Sequence, residues 1–208
     1  MNRPASQSAA GEAPEPYVSR GGRKLHAALE AFTIDARGLT CADLGCSTGG
    51  FTDCLLQAGA AKVYSVDTAY GELAWKLRND SRVVVMERRN ALHVEPPERV
   101  DLVVADMSWT PQRLVVPAAL KWLRAGGRIV TLIKPHYELK DRGEALPRGG
   151  VLPDDQASAV ATDVAAGLPN LGVRVLGLVK SPILGGKTKR GTGTGNAEWL
   201  ALLEPVAS

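Results

Sequence analysis

Four polar side chains follow short apolar runs. Asp43 follows Leu39 to Ala42, Asp67 follows Lys62 to Val66, Asp106 follows Val100 to Ala105, and Lys134 follows Arg128 to Ile133. A charged group at the carboxyl end of a buried parallel strand sits on the rim where open α/β sheets take their ligands. Asp43 also opens the stretch Asp43-Leu44-Gly45-Cys46-Ser47-Thr48-Gly49-Gly50-Phe51, which precedes an amphipathic run from Phe51 to Ala58. That layout is a strand, a glycine turn and a helix start. Glycine lets backbone approach a ligand closely, and the helix start offers free N–H groups.

A dinucleotide fingerprint needs glycine at its first, third and sixth positions. Counting from Gly45, the third position is Ser47, so that reading fails. An acidic strand end followed by a glycine turn instead suits S-adenosyl-L-methionine, a methyl-donor nucleotide without a pyrophosphate. The Asp43 carboxylate would lie near its cationic aminoacyl end, and Gly45, Ser47, Thr48, Gly49, Gly50 and Phe51 would form the cradle. The plain alternative is an ordinary tight strand–helix turn. Asp67 stands about 20 residues beyond Gly45, the separation at which a second-strand acid meets a ribose hydroxyl, though it would also serve as a helix cap. Glu87 and Asn90 follow a third strand, Arg82 to Met86, and are candidates for the adenine face; turn polarity explains both as well.

These residues need a scaffold. The chain has 208 residues, enough for one well-buried domain, and its apolar and charged fractions are those of a globular protein. The formal net charge of +3 is compatible with a polyanionic partner. Cys41, Cys46 and Cys54 lack CxxC spacing, so neither a disulfide framework nor a metal site is expected, and reduced cysteines point to the cytoplasm. No apolar stretch is long enough to span a membrane, and no signal core is present at the N-terminus. Residues 1–16 read as a flexible tail and 17–208 as the domain. Arg20, Arg23 and Lys24 cluster ahead of a helical pattern at Leu25, Leu29 and Phe32. That cluster is either a solvated helix start or a phosphate-contacting entry with one catalytic cation. Leu73, Trp75 and Leu77 are placed in a helix, with Trp75 packing. A helix is expected from Pro111 to about Arg124, stopped by Gly126-Gly127, with Pro117 kinking it or marking its start. A charged loop over Glu138 to Pro153, a helix over Asp154 to Leu168, a strand over Val173 to Val179, a basic loop over Ser181 to Gly195 and a last strand over Ala197 to Leu203 complete the pattern. Strands alternating with helices predict a mainly parallel, doubly wound α/β sheet.

Several separated stretches resemble one family. They are Val18 to Leu25, Asp43 to Leu56, Lys134-Pro135, Ser181-Pro182-Ile183 and Gly195-Asn196-Ala197-Glu198. The chain from Tyr17 to Pro205 is similar to the TlyA (haemolysin A) branch of the FtsJ-like ribose methyltransferases. The resemblance implies a Rossmann-like class I methyltransferase fold, with a seven-stranded sheet whose last strand is antiparallel. It implies S-adenosyl-L-methionine as cofactor and methylation of a ribose 2′-hydroxyl of ribosomal RNA, at cytidine. Its Lys-Asp-Lys-Glu set falls on Lys24, Asp106, Lys134 and Glu198. Members of this branch usually begin with an S4 RNA-binding module, where this sequence shows a short tail. Trp109-Thr110-Pro111 replaces the usual Phe-Ile-Ser, His136-Tyr137 replaces Gln-Phe, and the stretch between Pro182 and Asn196 is longer and more basic than usual.

A ribose hydroxyl is a poor nucleophile. Lys134 is expected either to take its proton or to orient its oxygen, with Asp106 and Lys24 fixing the geometry and Glu198 holding Lys24. RNA phosphates are expected on Arg20, Arg23, Lys187, Lys189 and Arg190, with intact ribosomal RNA or a ribosomal subunit as the partner. Tyr137 and Trp109 either stack on a base or pack, and His26, His93 and His136 read as structural or surface residues, although His136 adjoins the site and could touch RNA. Two other classes stand beside this one: a non-catalytic RNA-binding protein that keeps the fold, and a small-molecule O-methyltransferase, which the basic stretches disfavour. No amphipathic or spanning segment supports membrane damage.

Overall fold

The computed structural model describes residues 15–186 and 195–206. Seven strands form one sheet: β1 (Thr40–Leu44), β2 (Lys62–Val66), β3 (Val83–Met86), β4 (Val100–Ala105), β5 (Leu123–Ile133), β6 (Val173–Lys180) and β7 (Trp199–Pro205). Their order is β3-β2-β1-β4-β5-β7-β6, and β7 runs antiparallel to both neighbours. Helices α1 (Gly21–Ala31), α2 (Gly50–Gln57), α3 (Trp75–Arg78), α4 (Gln112–Leu120), α5 (Pro135–Asp141) and α6 (Asp154–Gly167) fill the connections, with a 3₁₀ turn at Leu168–Leu171.

The central strands are buried on both faces, which is why they read as apolar runs rather than alternating ones. Val103 and Ala105 of β4 pack into one core with Trp122, Ile129 and Ala161. Leu102 and Val104 pack into the other with Leu25, Leu55 and Leu200. Strand order reverses between β1 and β4. In sheets of this kind the crevice outside the carboxyl ends at that switch point is where ligands bind.

Four boundaries depart from the sequence pattern. The helix expected to reach Arg124 ends at Leu120, because β5 starts at Leu123 and pairs with Val100 across an irregular register. Gly126-Gly127 thus lie within the strand. A Cβ on Gly127 would come 3.1 Å from the Asp101 carbonyl oxygen, so Gly127 allows close strand approach, while Gly126 supplies a left-handed backbone at φ 76°. Glu138 to Asp141, expected in a loop, belong to α5, which Pro135 starts at a position where its missing N–H costs nothing. Pro117 lies inside α4. Finally, α3 is a single turn that excludes Leu73, and Trp75 is 78% exposed, so it does not pack.

Candidate active site

The switch point opens into a cleft of about 1020 Å³. One wall is the glycine turn. Gly45, Ser47 and Gly49 all have positive φ, at 87°, 47° and 95°. Gly45 N–H and Cys46 N–H both donate to the Val66 carbonyl, and Ser47 N–H donates to Asp67 Oδ2 at 2.8 Å. A Cβ on Gly45 would sit 2.9 Å from the Asp106 carbonyl oxygen. The absent side chain therefore lets the end of β1 touch the end of β4 and carry Asp106 up to the turn. Gly45, Ser47, Thr48, Gly50, Phe51, Asp67 and Asn90 all line the cleft.

Gly49 and Glu87 are placed elsewhere. A Cβ on Gly49 would lie 2.3 Å from Leu77 Cδ1 and 2.7 Å from Leu73 Cδ1, so its bareness makes room for packing. Glu87 pairs with Arg78 and accepts the Gly71 N–H at 2.8 Å, which ties down the connection between β2 and β3.

Asp43 lies in the cleft floor and is fully buried. Its Oδ2 accepts Thr52 N–H at 2.9 Å and Thr52 Oγ1–H at 2.7 Å, and Thr52 Oγ1 also meets Ser65 Oγ at 2.8 Å. Oδ1 is buried without a partner. Burial pushes this carboxyl up to about 7; the Thr52 bonds pull it down, and the Asp106 and Asp67 charges add to the rise. An unpartnered buried carboxylate oxygen is costly unless a ligand completes it. Asp67 accepts from Ser47 and Ala69 N–H groups, one on each oxygen, and each oxygen keeps a further lone pair. Bare backbone at the turn, an orphaned acid in the floor and a second acid on the rim fit an adenosyl cofactor with a cationic tail.

The opposite wall carries four charges in a chain. Glu198 Oε2 lies 2.6 Å from Lys24 Nζ, Lys24 Nζ lies 3.9 Å from Asp106 Oδ2, and Asp106 Oδ1 lies 2.5 Å from Lys134 Nζ. Lys134 Nζ also donates to the Met107 carbonyl at 3.3 Å. Two cations and two anions neutralise each other, as buried charges require. The Glu198 carboxyl is raised by burial, against the pull of Lys24.

Different elements deliver these groups. Asp106 and Lys134 simply end β4 and β5. Glu198 precedes β7, and because β7 is antiparallel its start lies on the same rim. Ile133 is registered with Trp199, which puts Glu198 across from Lys134. Lys24 arrives on α1, whose start crosses the start of α2 at glycines: a Cβ on Gly50 would lie 2.8 Å from Gly22 N, and one on Gly22 would lie 2.2 Å from the Tyr17 ring. Asp53 Oδ2 accepts Val18 N–H at 2.8 Å and pins this strap to α2.

Arg20 lines the cleft, whereas Arg23 faces Glu15 at 3.6 Å. Lys187, Lys189 and Arg190 lie outside the described residues. At the mouth, the Trp109 and Tyr137 rings are 4.9 Å apart and Lys140 sits 5.3 Å from the Trp109 ring. His136 is pushed down to about 4, first by burial and then by Lys134. It is neutral near pH 7 and adds no charge for RNA. His26 pairs with Glu30 on the outside of α1 and His93 is exposed.

Residue patterns gave no role to Thr52, Ser65 or Asn196. Thr52 was findable in principle, as a hydroxyl in the first turn of the helix behind an acidic strand end. Asn196 accepts Leu152 N–H at 2.8 Å and donates to the Gly150 carbonyl at 2.9 Å, and no local signal marks such a clamp.

Comparison with known proteins identifies relatives of the chain. The chain is 47% identical over 173 residues to the 16S/23S rRNA (cytidine-2′-O)-methyltransferase TlyA of Mycobacterium tuberculosis, covering 81% of this chain and 64% of that protein. It is 38% identical over 190 residues to Hemolysin A of Brachyspira hyodysenteriae, covering 89% of this chain and 75% of that protein. A solved structure of a candidate hemolysin from Streptococcus thermophilus superposes with a TM-score of 0.83 at 38% identity, over 96% of this chain and 70% of that one. The chain thus spans under two thirds of the length of the mycobacterial relative. The FtsJ-like methyltransferase description matches residues 17–191, and the chain belongs to that family.

Proposed function

We propose that this chain transfers a methyl group from S-adenosyl-L-methionine to the 2′-hydroxyl of a ribose in ribosomal RNA, at a cytidine. The observation that carries the reading is the Glu198–Lys24–Asp106–Lys134 chain facing the glycine turn across one cleft. The name of the mycobacterial relative, an rRNA (cytidine-2′-O)-methyltransferase, supports the substrate.

The cofactor supplies a methyl group on a sulfonium that leaves as a neutral thioether. The turn backbone, Asp43, Asp67 and Asn90 would hold it. Lys134 has three donor positions, and the structure directs two, to Asp106 and to the Met107 carbonyl. The third is left for the ribose oxygen. Lys134 orients that oxygen and steadies the negative charge that builds on it; as the O–CH3 bond forms and the S–CH3 bond breaks, the hydroxyl proton passes to solvent water in the open cleft. Asp106 keeps Lys134 in place, and Glu198 keeps Lys24 beside Asp106. Holding reactants in line can account for about 7–11 kcal/mol of a barrier. Trp109, 65% exposed, and Tyr137 offer faces on which the target base can stack, typically worth about 1–3 kcal/mol.

The test is radiolabelled methyl transfer to total RNA followed by nucleoside analysis. The expected product is 2′-O-methylcytidine, and Lys134→Ala should abolish it while cofactor binding persists. A chain that binds cofactor and RNA yet transfers nothing would establish the non-catalytic alternative. Full activity in Lys134→Ala would remove Lys134 from the mechanism.

A further inference from the structure

The connection between β2 and β3 carries a surface that this reaction does not use. Tyr70 is 68% exposed and Trp75 is 78% exposed, whereas Trp122 and Trp199 are buried. The Arg88 guanidinium lies 4.2 Å from the centroid of the Tyr70 ring. Arg88 reaches that position through a left-handed backbone, φ 54°, fixed by Arg88 N–H to the Ala69 carbonyl at 3.2 Å and Arg89 N–H to the Asp67 carbonyl at 3.0 Å. A left-handed arginine is disfavoured, and the two backbone hydrogen bonds hold it in that conformation with its guanidinium beside the Tyr70 ring.

The neighbouring cations are already committed: Lys76 to Asp53, Arg78 to Glu87 and Arg82 to Asp80. Among the described residues neither Arg88 nor Arg89 has a carboxylate partner, and both are exposed. Arg88 and Arg89 follow β3, and the acids near them without a cation partner among the described residues are the exposed Glu72 and the half-buried Asp67, whose oxygens accept the Ser47 and Ala69 N–H groups. The surface is continuous with the cleft. Arg89 lines it beside Asp67 and Asn90. Ala74 N–H donates to the carbonyl of Thr48, another lining residue, which places Trp75 next to the glycine turn.

We propose that Tyr70, Trp75, Arg88 and Arg89 form a second RNA-binding surface, which takes the single-stranded stretch flanking the target nucleotide. Bases stack on the exposed rings and phosphates meet the two guanidinium groups. Aromatic platforms interleaved with unpaired arginines are the chemistry of sequence-tolerant single-strand binding. A protein partner would also value an exposed tryptophan and arginine, but two guanidinium groups without a carboxylate partner among the described residues, set beside exposed rings and continuous with the cleft, favour RNA.

The inference rests on the RNA reading above, and the test separates the two. Binding of a fluorescein-labelled single-stranded RNA of mixed sequence is followed by anisotropy across a salt series. Arg88→Ala should weaken binding and lower the log–log salt slope by about 0.7, the value for one lost phosphate contact on a single strand. Trp75→Ala should weaken it about 5- to 150-fold, the equivalent of about 1–3 kcal/mol per stacked base, with the slope unchanged. Both variants should bind S-adenosylmethionine as the parent does by calorimetry, which shows that the fold is intact. If the parent binds and methylates RNA while both variants match it in affinity and slope, this surface is inert and the inference fails alone. If the parent binds no RNA, the RNA reading itself fails. Self-association of the parent in sedimentation that Trp75→Ala abolishes, with RNA affinity unchanged, would assign the surface to a protein contact and overturn the proposal.

Discussion

Replacing Asp43 by Asn tests the floor of the cleft. The Asp43 carboxyl is fully buried, with one oxygen held by Thr52 and the other without a partner. Burial raises it from 3.8 to about 7. Between those values the folded chain keeps a proton that the unfolded chain has released. The Asp43 contribution to the stability of the cofactor-free protein therefore falls as pH rises through this window and levels off above about pH 7, whereas His136, held down at about 4, contributes in the opposite sense between about pH 4 and 6.5. At 1.36 kcal/mol per pH unit, the gap corresponds to about 4 kcal/mol at pH 8, an upper bound for one group. Asp43→Asn keeps the shape and an acceptor for Thr52 but cannot titrate. In urea denaturation from pH 5 to pH 8 the difference in stability between variant and parent isolates Asp43 and should grow with pH, with the variant's largest advantage at pH 8.

Cofactor binding should behave in the opposite sense. A cationic aminoacyl group needs the ionised carboxylate, so parent affinity should rise as pH goes from 6 to 8, and binding near pH 6.5 should release a proton. Calorimetry in two buffers of different ionisation enthalpy reads that proton directly. The variant should bind weakly, with neither pH dependence nor proton release. Parallel stability profiles in the two proteins would show that Asp43 does not carry the titration. Undiminished affinity in the variant would show that Asp43 is not the partner of the cationic end.

Two further substitutions probe how the charges are delivered. Glu198→Gln removes the carboxylate 2.6 Å from Lys24 Nζ. A charge-assisted bond of this kind is worth about 1.5–3 kcal/mol, so methyl transfer should drop about 10-fold or more while cofactor affinity holds; unchanged turnover would make the pair a bystander. Gly22→Ala places a Cβ 2.2 Å from the Tyr17 ring, which must move, and thermal denaturation should show a loss of about 1–3 kcal/mol; an unshifted transition would mean that the strap is not seated against α1.

Much of the sheet is visible in the sequence because buried parallel strands are apolar throughout and their polar stops mark the rim. That is why Asp67, Asp106 and Lys134 can be placed on one edge without knowing the strand order. The pattern misleads where a local signal serves a distant contact. Gly126-Gly127 has the appearance of a helix stop, yet it lies inside β5, where the bareness of Gly127 answers to Asp101 across the sheet and Gly126 turns through a positive φ. Trp75 stands between Leu73 and Leu77, which are both buried, yet residues two positions apart along a helix point away from each other and the one-turn helix leaves it outside. Glu87 has the polarity of a binding residue, but Arg78 claims it.

The charge chain shows the same limit more sharply. Lys24 and Glu198 are separated by 174 residues, and no periodicity connects them. Two features that carry no chemistry of their own bring them together. The antiparallel register of β7 against β5 turns Glu198 toward the rim on which Lys134 ends its strand. The missing side chain at Gly50 lets the start of α1 cross α2 closely, and the one at Gly22 makes room for the Tyr17 ring against α1, so that Lys24 reaches between Glu198 and Asp106. Hydrophobic alternation tells which residues form strands but not which strands are neighbours, and a glycine shows that space is needed without saying what fills it. The pairing of these residues could therefore be anticipated only from resemblance to a family, and its physical cause appears only when register and helix crossing are seen together.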